Sequence, residues 1–204
     1  MAAERTRTRR GDVRDAALTL FAERGYHGTS MKDIAEAVGM RAPSLYNHVD
    51  AKQDLLVEIV EGTLVDLQAR HEAAVGSTRD VEQALRRAVE AHVRYHARFP
   101  REVRVGNRDL SALAPANRER VIGMRRRYAR SWQRLLQRGA DEGRFDLPDA
   151  RLASYAILEM GIGVATWFRP DGPLSEDVVA CHYGDMALRL AGAVRPGPPG
   201  PGAQ

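Results

Sequence analysis

Cysteine is nearly missing from this chain: Cys181 is the single one in 204 residues. That excludes an internal disulfide and any zinc site built on cysteines, and it fits a reducing, cytoplasmic setting. Lysine is almost as scarce. Lys32 and Lys52 stand against 29 arginines, a skew that reflects a GC-rich genome rather than a function but leaves both lysines close to one short segment. Long apolar runs are missing too. The longest, residues 155–168, is interrupted by Glu159 and falls short of the ~20 residues that span a bilayer. The arginine-rich start has no apolar h-region of a signal peptide. There is no Gly-rich phosphate loop, no G-x-S-x-G and no H-E-x-x-H, so nothing calls for an enzyme, a cofactor or a metal. No alternating strand pattern occurs either, and the chain reads as all-α.

Hydrophobic residues make up 44% of the sequence, enough to bury a core and to exclude global disorder. The net charge is +4 and the sequence pI about 9.6, a mild excess that is compatible with a nucleic-acid partner without establishing one. Residues 1–60 hold nine Lys/Arg and nine Asp/Glu. Any cation that meets DNA there must be placed rather than abundant.

The segment Thr29–Lys52 carries the most specific pattern. Ala35, Gly39 and Leu45 follow one another by four and six residues. That gives a small residue where two helices cross, a glycine for the positive φ of the turn, and an apolar pin on a second helix. Met31, Ile34, Ala35 and Val38 share one face at helical spacing, and Ser30 with Asp33 makes a capping signal. The second helix then offers Arg41, Ala42, Pro43, Ser44, Tyr46, Asn47 and His48, a set suited to phosphates and base edges, so the segment predicts a DNA-reading helix-turn-helix. Lys52 falls in the first turn of the next helix, where its charge opposes the helix dipole, which points to an external anion such as phosphate.

Around this motif the periodicity predicts further helices. Val13, Ala17, Leu20 and Phe21 form a stripe closed by Gly25. A long helix starts at a D-x-x-Q signal, Asp50 with Gln53, and breaks at Gly76-Ser77-Thr78. Others run from about Asp80 to Arg98, from Pro100, from Pro115 to about Gly139, across Tyr155–Phe168, and from a cap at Ser175 to near Ala193. The expected division is an arm and helix-turn-helix domain over 1–55, a helical ligand-binding and dimerisation domain over 56–193, and a disordered Pro/Gly-rich tail over 194–204.

The stretches LFAERGYHGTSMKDIAEAVG, SLYNHV and KQDLL, within Val13–Leu56, resemble the TetR family of repressors. The resemblance implies that the second helix of the motif enters the major groove. It also implies that the tyrosine and lysine at 46 and 52, and often Thr29 or Ser30, hold phosphates. The sequence departs from the family pattern at Arg41, where a Ser or Thr cap is usual, and at Val49, where an aromatic is usual. Arg41 is therefore free to contact DNA, with Pro43 defining the helix start. A second stretch, TWFRPDGPLSED, resembles the C-terminal part of TetR-type regulators of fatty-acid and steroid-side-chain degradation, which sense acyl-CoA thioesters.

In the body, His92, Tyr95, His96 and Phe99 share a helical face. A metal reading of the two histidines lacks a third ligand, so core or pocket lining is expected. The expected pocket is lined by His92, Tyr95, His96, Tyr128, Met160, Val164 and Trp167, with Arg104, Arg108 or Arg125 at its mouth for an acyl-CoA-like anion. Glu159 is expected to be paired to an arginine or to line that pocket. The helix over Tyr155–Phe168 is apolar nearly all round, as expected where one face meets a second copy of the chain. The reading is a ligand-responsive, homodimeric regulator of a double-stranded DNA operator, most readily a repressor. A multidrug-sensing repressor and an architectural DNA-binding dimer without a ligand are the alternatives.

Overall fold

The computed structural model describes the backbone of residues 2–193 and the side chains of residues 9–193. The tail expected over 194–204, and the arm side chains of Arg5 and Arg7, lie outside the described residues. The helices are α1 (Ala2–Arg24), α2 (Met31–Ala37), α3 (Ala42–Leu45), α4 (Lys52–Gly76), α5 (Val81–Arg98), α6 (Pro100–Arg108), α7 (Pro115–Asp141), α8 (Ala150–Trp167) and α9 (Glu176–Leu190), with a 3-10 turn over Asp109–Ala112. The all-α expectation holds. Among the described residues the only β pairing is an isolated bridge between Phe145 and Ala193.

The chain forms two compact units. The first comprises Met1–Gln68 and Arg98–Arg127, the second Ala69–Ala97 and Tyr128–Gln204. This cut differs from the boundary at residue 55, for a physical reason. Val105, Leu113 and Val121, from α6 to α7, lie in the same buried cluster as Val13, Phe21, Ile34, Leu45, Leu56 and Ile59. The apolar stripe of α1 is shared between α2 and α6, so the helix-turn-helix does not close its core alone.

The second unit buries Leu85, Val89, Val93, Trp132, Leu136, Ile157 and Val164. α8 and α9 expose the apolar side chains of Leu152, Tyr155, Trp167, Val178, Met186 and Leu190, interleaved with exposed Glu159, His182 and Arg189. Glu159, expected to be internal, is also exposed, because the buried stripe of α8 runs through Ala153, Ile157, Leu158, Gly161 and Val164 instead.

Candidate nucleic-acid interface and effector site

The first helix of the motif starts on a reciprocal cap. The Ser30 hydroxyl accepts from the Asp33 N–H at 3.1 Å, and the Asp33 carboxylate accepts from the Ser30 N–H at 2.7 Å. The Ser30 hydrogen bonds hold the Asp33 carboxyl below its ordinary value, helped by the Arg24 and Lys32 charges. At the other end, Met40 N–H reaches the Ala35 carbonyl at 2.8 Å and Gly39 N–H the Glu36 carbonyl at 3.1 Å. This is the paired 6→1 and 5→2 closure of a helix C-terminus, and it requires the positive φ that Gly39 supplies at 66°.

α3 is one turn long. Arg41 occupies its N-cap with extended backbone and no side-chain cap, and Pro43 lies in the first turn, where a missing N–H costs nothing. Leu45 is fully buried and pins the turn to the core. Beyond it, Val49 N–H still reaches the Leu45 carbonyl at 3.1 Å, but Val49 turns inward to 3% exposure, so the regular helix ends before Tyr46. Arg41, Pro43, Ser44, Tyr46 and Asn47 face outward, while Ala42 and His48 are half-buried.

Two residues assigned to phosphate are otherwise engaged. Thr29 is 2% exposed, and its hydroxyl donates to the Gly25 carbonyl at 3.0 Å. Lys52 Nζ donates to the carbonyls of Tyr26 at 2.8 Å and Thr29 at 2.6 Å, and lies 4.2 Å from the centre of the Tyr26 ring. The ammonium that seemed to call for an external anion is held by the α1–α2 link. Gln53, read as a cap, is also used at long range. It donates to the Tyr26 hydroxyl at 3.0 Å and accepts from the Ala114 N–H at 2.6 Å; Asp54 caps Ala51 N–H instead. Arg10 pairs with Glu58 at 2.9 Å.

The residues expected around a ligand are divided between the units. In the first, Arg104 is exposed. Arg108 donates to the Phe21 carbonyl, to the Ala22 carbonyl and to buried Asp109. Arg125 donates to the Gly106 carbonyl at 2.8 Å. In the second, His92, Tyr95, His96 and Tyr128 are buried together. His92 Nδ1 lies 2.9 Å from the Tyr128 hydroxyl, and His96 Nδ1 lies 2.8 Å from the His92 carbonyl. Burial lowers the pKa of both histidines and raises that of the Tyr128 hydroxyl. Val164 is fully buried, Met160 half-buried, and Trp167 is 44% exposed on the α8 surface. No trio of His, Cys, Asp or Glu side chains among the described residues is placed to hold a metal.

Residues 13–59 match the bacterial regulatory proteins of the tetR family, and residues 78–191 match the tetracyclin repressor-like C-terminal domain. The chain belongs to the TetR family. Its relatives include the HTH-type transcriptional repressor KstR2 of Rhodococcus jostii (strain RHA1), 32% identical over 199 residues, 92% of this chain and 92% of that one. The solved structure of the ketosteroid transcriptional regulator KstR2 of Mycobacterium tuberculosis has a TM-score of 0.83 at 28% identity, covering 92% of this chain and 95% of that chain. AibR in complex with isovaleryl coenzyme A and operator DNA has a TM-score of 0.79 at 23% identity, covering 91% and 100%, a likeness of fold.

In this TetR-family chain the helix-turn-helix and its outward face were legible from residue spacing, whereas several supporting side chains were not. Gln53, Arg10 and His71 lacked a local signal that fixed their roles. The nearest hint for His71 is its spacing from Leu64 and Leu67, which places it on the buried stripe of α4.

Proposed function

We propose that this TetR-family protein is a homodimeric transcriptional repressor that leaves a pseudo-palindromic operator when an amphipathic, acyl-CoA-like ligand binds its body. The observation that carries the DNA half is the outward set Arg41, Pro43, Ser44, Tyr46 and Asn47, displayed on a turn whose two ends are fixed by the Gly39 closure and by buried Leu45. Ser44 and Asn47 read base edges, Tyr46 and Ser30 hold phosphates, and Arg41 reaches the backbone or a guanine. Functionally the chain divides into a DNA-reading head through residue 55 and an effector and dimer body over 56–193, acting in the cytoplasm and without catalysis of its own.

The exposed apolar side of α8 and α9 meets the same side of a second copy. Two heads then address successive major grooves, ~34–36 Å apart or a multiple of that spacing. The repressor reading draws on the KstR2 relatives; the thioester reading draws on the TWFRPDGPLSED stretch and on a fold that, in AibR, is compatible with isovaleryl coenzyme A. Glu159 faces outward on α8, so it is not the internal carboxylate on which the multidrug alternative would draw. Ligand in the body favours a spacing of heads that no longer fits DNA.

The test is to select duplexes from a random pool, then titrate the selected operator with and without acyl-CoA thioesters and cationic dyes. A half-site repeat bound by a dimer and released by thioesters is the expected result. Release by dyes alone would move the assignment to a multidrug sensor, and release by neither to an architectural binder.

A further inference from the structure

The second unit contains a ring cluster in which two buried nitrogens lack a hydrogen-bond partner. His71 on α4, His92 and His96 on α5, and Tyr128, Ser131 and Trp132 on α7 are all buried. His92 Nε2 lies 3.2 Å from the Leu158 carbonyl, so it carries the proton, and Nδ1 must accept from the Tyr128 hydroxyl at 2.9 Å. That orientation is fixed from the α8 side, since a Cβ on Gly161 would come within 2.2 Å of His92 Cδ2. The His92 carbonyl takes the His96 N–H, and Ser131 donates to the Tyr128 carbonyl at 2.6 Å.

His71 Nδ1 and Trp132 Nε1 have no hydrogen-bond partner. Their residues are 4% and 0% exposed, and their rings stand 4.7 Å apart, centre to centre. The Trp132 indole lies edge-on to the Tyr128 ring, at 87° and 6.2 Å. Its N–H lies close enough to the Tyr128 hydroxyl, itself donating to His92, to pull that group's pKa down against the effect of burial, but it does not meet full hydrogen-bond geometry. Buried polar atoms are nearly always paired. Two orphans on touching rings, in a unit assigned to receive a ligand, mark where a ligand atom belongs.

The cluster also sets the charge of that atom. Burial pushes His71 down to about 4, with the Arg134 charge acting in the same direction, despite a hydrogen bond to the Ser131 backbone and the Glu72 charge, which pull the other way. His92 and His96 are lowered as well. At neutral pH the rings themselves carry no charge, and the charges that act on His71, Arg134 and Glu72, are exposed and of opposite sign, so a carboxylate or phosphate here would be buried without a cation of its own. An indole N–H can only donate, whereas a neutral imidazole nitrogen can donate or accept.

We infer that the effector carries an uncharged carbonyl or hydroxyl oxygen held between Trp132 Nε1 and His71 Nδ1, so that the regulator prefers an oxygenated acyl group to a plain hydrocarbon one. This deepens the thioester reading above and rests on it. A site built to bond an oxygen rejects the analogue that lacks it, because its own polar groups are then left unpaired.

The test uses the full-length protein on labelled operator. Length-matched saturated, oxo- and hydroxyacyl-CoA thioesters, with the oxygen at successive carbons, are titrated against wild type, Trp132→Phe, His71→Leu and His71→Asn. At least one oxygenated thioester should release DNA at a concentration ~10-fold or more below the saturated one. Trp132→Phe and His71→Leu should erase that preference while leaving operator affinity unchanged, and His71→Asn, which keeps a polar hydrogen, should retain part of it. Equal release by saturated and oxygenated thioesters, or a preference that survives both apolar substitutions, overturns the inference. Thermal melts identify a variant that has not folded, and the comparison then rests on the other one. If no thioester releases DNA, the thioester reading fails. The inference is then decided on its own by titrating neutral ketones and alcohols against matched hydrocarbons, read by Trp132 fluorescence in a Trp167→Phe background. Absence of any preference there overturns it.

Discussion

Replacing Lys52 with methionine separates two roles for this cation. In the structure its ammonium donates to the Tyr26 and Thr29 carbonyls at 2.8 and 2.6 Å and stands over the Tyr26 ring. Methionine keeps most of the stem and removes the charge. A hydrogen bond to a charged group contributes about 1.5–3 kcal/mol net when buried, and Lys52 is half-buried, so the lower end applies to each bond. A partly exposed cation–π contact adds roughly 0.5–1 kcal/mol. Against this, a positive charge at a helix N-terminus costs about 0.3–1 kcal/mol, which methionine relieves. The balance is a loss of about 2–4 kcal/mol for the first unit. Urea unfolding followed by circular dichroism should show it as a lower midpoint with unchanged slope. In parallel, operator affinity is measured across salt concentrations. A phosphate ligand lost would reduce the log–log slope by about one, whereas a staple lost leaves the slope unchanged. Unfolding within about 0.5 kcal/mol of wild type, together with a slope reduced by one, would refute the staple and restore the phosphate role.

Tyr46→Phe should weaken binding to operator and to unrelated duplex alike, whereas Ser44→Ala and Asn47→Ala should change which operator variants are preferred by ~1–3 kcal/mol. Competition binding on a single-base variant panel reads the difference, and a uniform effect at all three positions would contradict these roles. Met186→Glu, on the exposed side of α9, should turn a dimer into a monomer by sedimentation, because a charge there would be buried without a partner. A wild-type protein that is monomeric at micromolar concentration would exclude the α8–α9 interface. For pH, His71 is depressed in the folded chain to about 4 from 6.5, so the unfolded chain binds more protons between those values. Stability present above about pH 6.5 should fall as pH drops toward 4, by about 3 kcal/mol from His71 alone. His71→Leu should flatten the acid side of a denaturation–pH profile, and an unchanged profile would mean that His71 is not held neutral.

What the sequence made legible was local. Ser30 and Asp33 lie three residues apart and cap each other; Gly39 closes the helix that contains Ala35; Leu45 is buried where the spacing required it. These are contacts within one or two turns, and a period plus a cap signal is enough to find them. For Lys52 the sequence could not show the intramolecular partners of its ammonium, the Tyr26 and Thr29 carbonyls, because they are 26 and 23 residues away. The dipole argument correctly demanded a compensating negative group, but it could not say that two carbonyls of the α1–α2 link would supply it. Gln53 failed for the same reason, since it fits a capping signal in sequence but meets the segment before α7 in space. A single histidine on a helical stripe carries no mark of the ring beside it, so His71 went unread.

The grouping of α6 with the DNA-facing helices follows from these long-range ties. A helix C-terminus leaves carbonyls without intrahelical partners; at α1 the Phe21 carbonyl still accepts from the Gly25 N–H at 2.9 Å, and the Ala22 carbonyl lies one residue further on. Arg108, from the last turn of α6, donates to both, and its guanidinium is oriented by Asp109, which is 7% exposed. Gln53 joins the first turn of α4 to the Ala112 carbonyl and the Ala114 N–H beyond the 3-10 turn. Moving α6 along its axis would take the Arg108 guanidinium, together with its neighbour Asp109, away from the Phe21 and Ala22 carbonyls. Small displacements of α6 are therefore felt by the end of α1, while the start of α4 is tied to the segment between the 3-10 turn and α7. α1, which packs against α2, is thus the element that α6 holds.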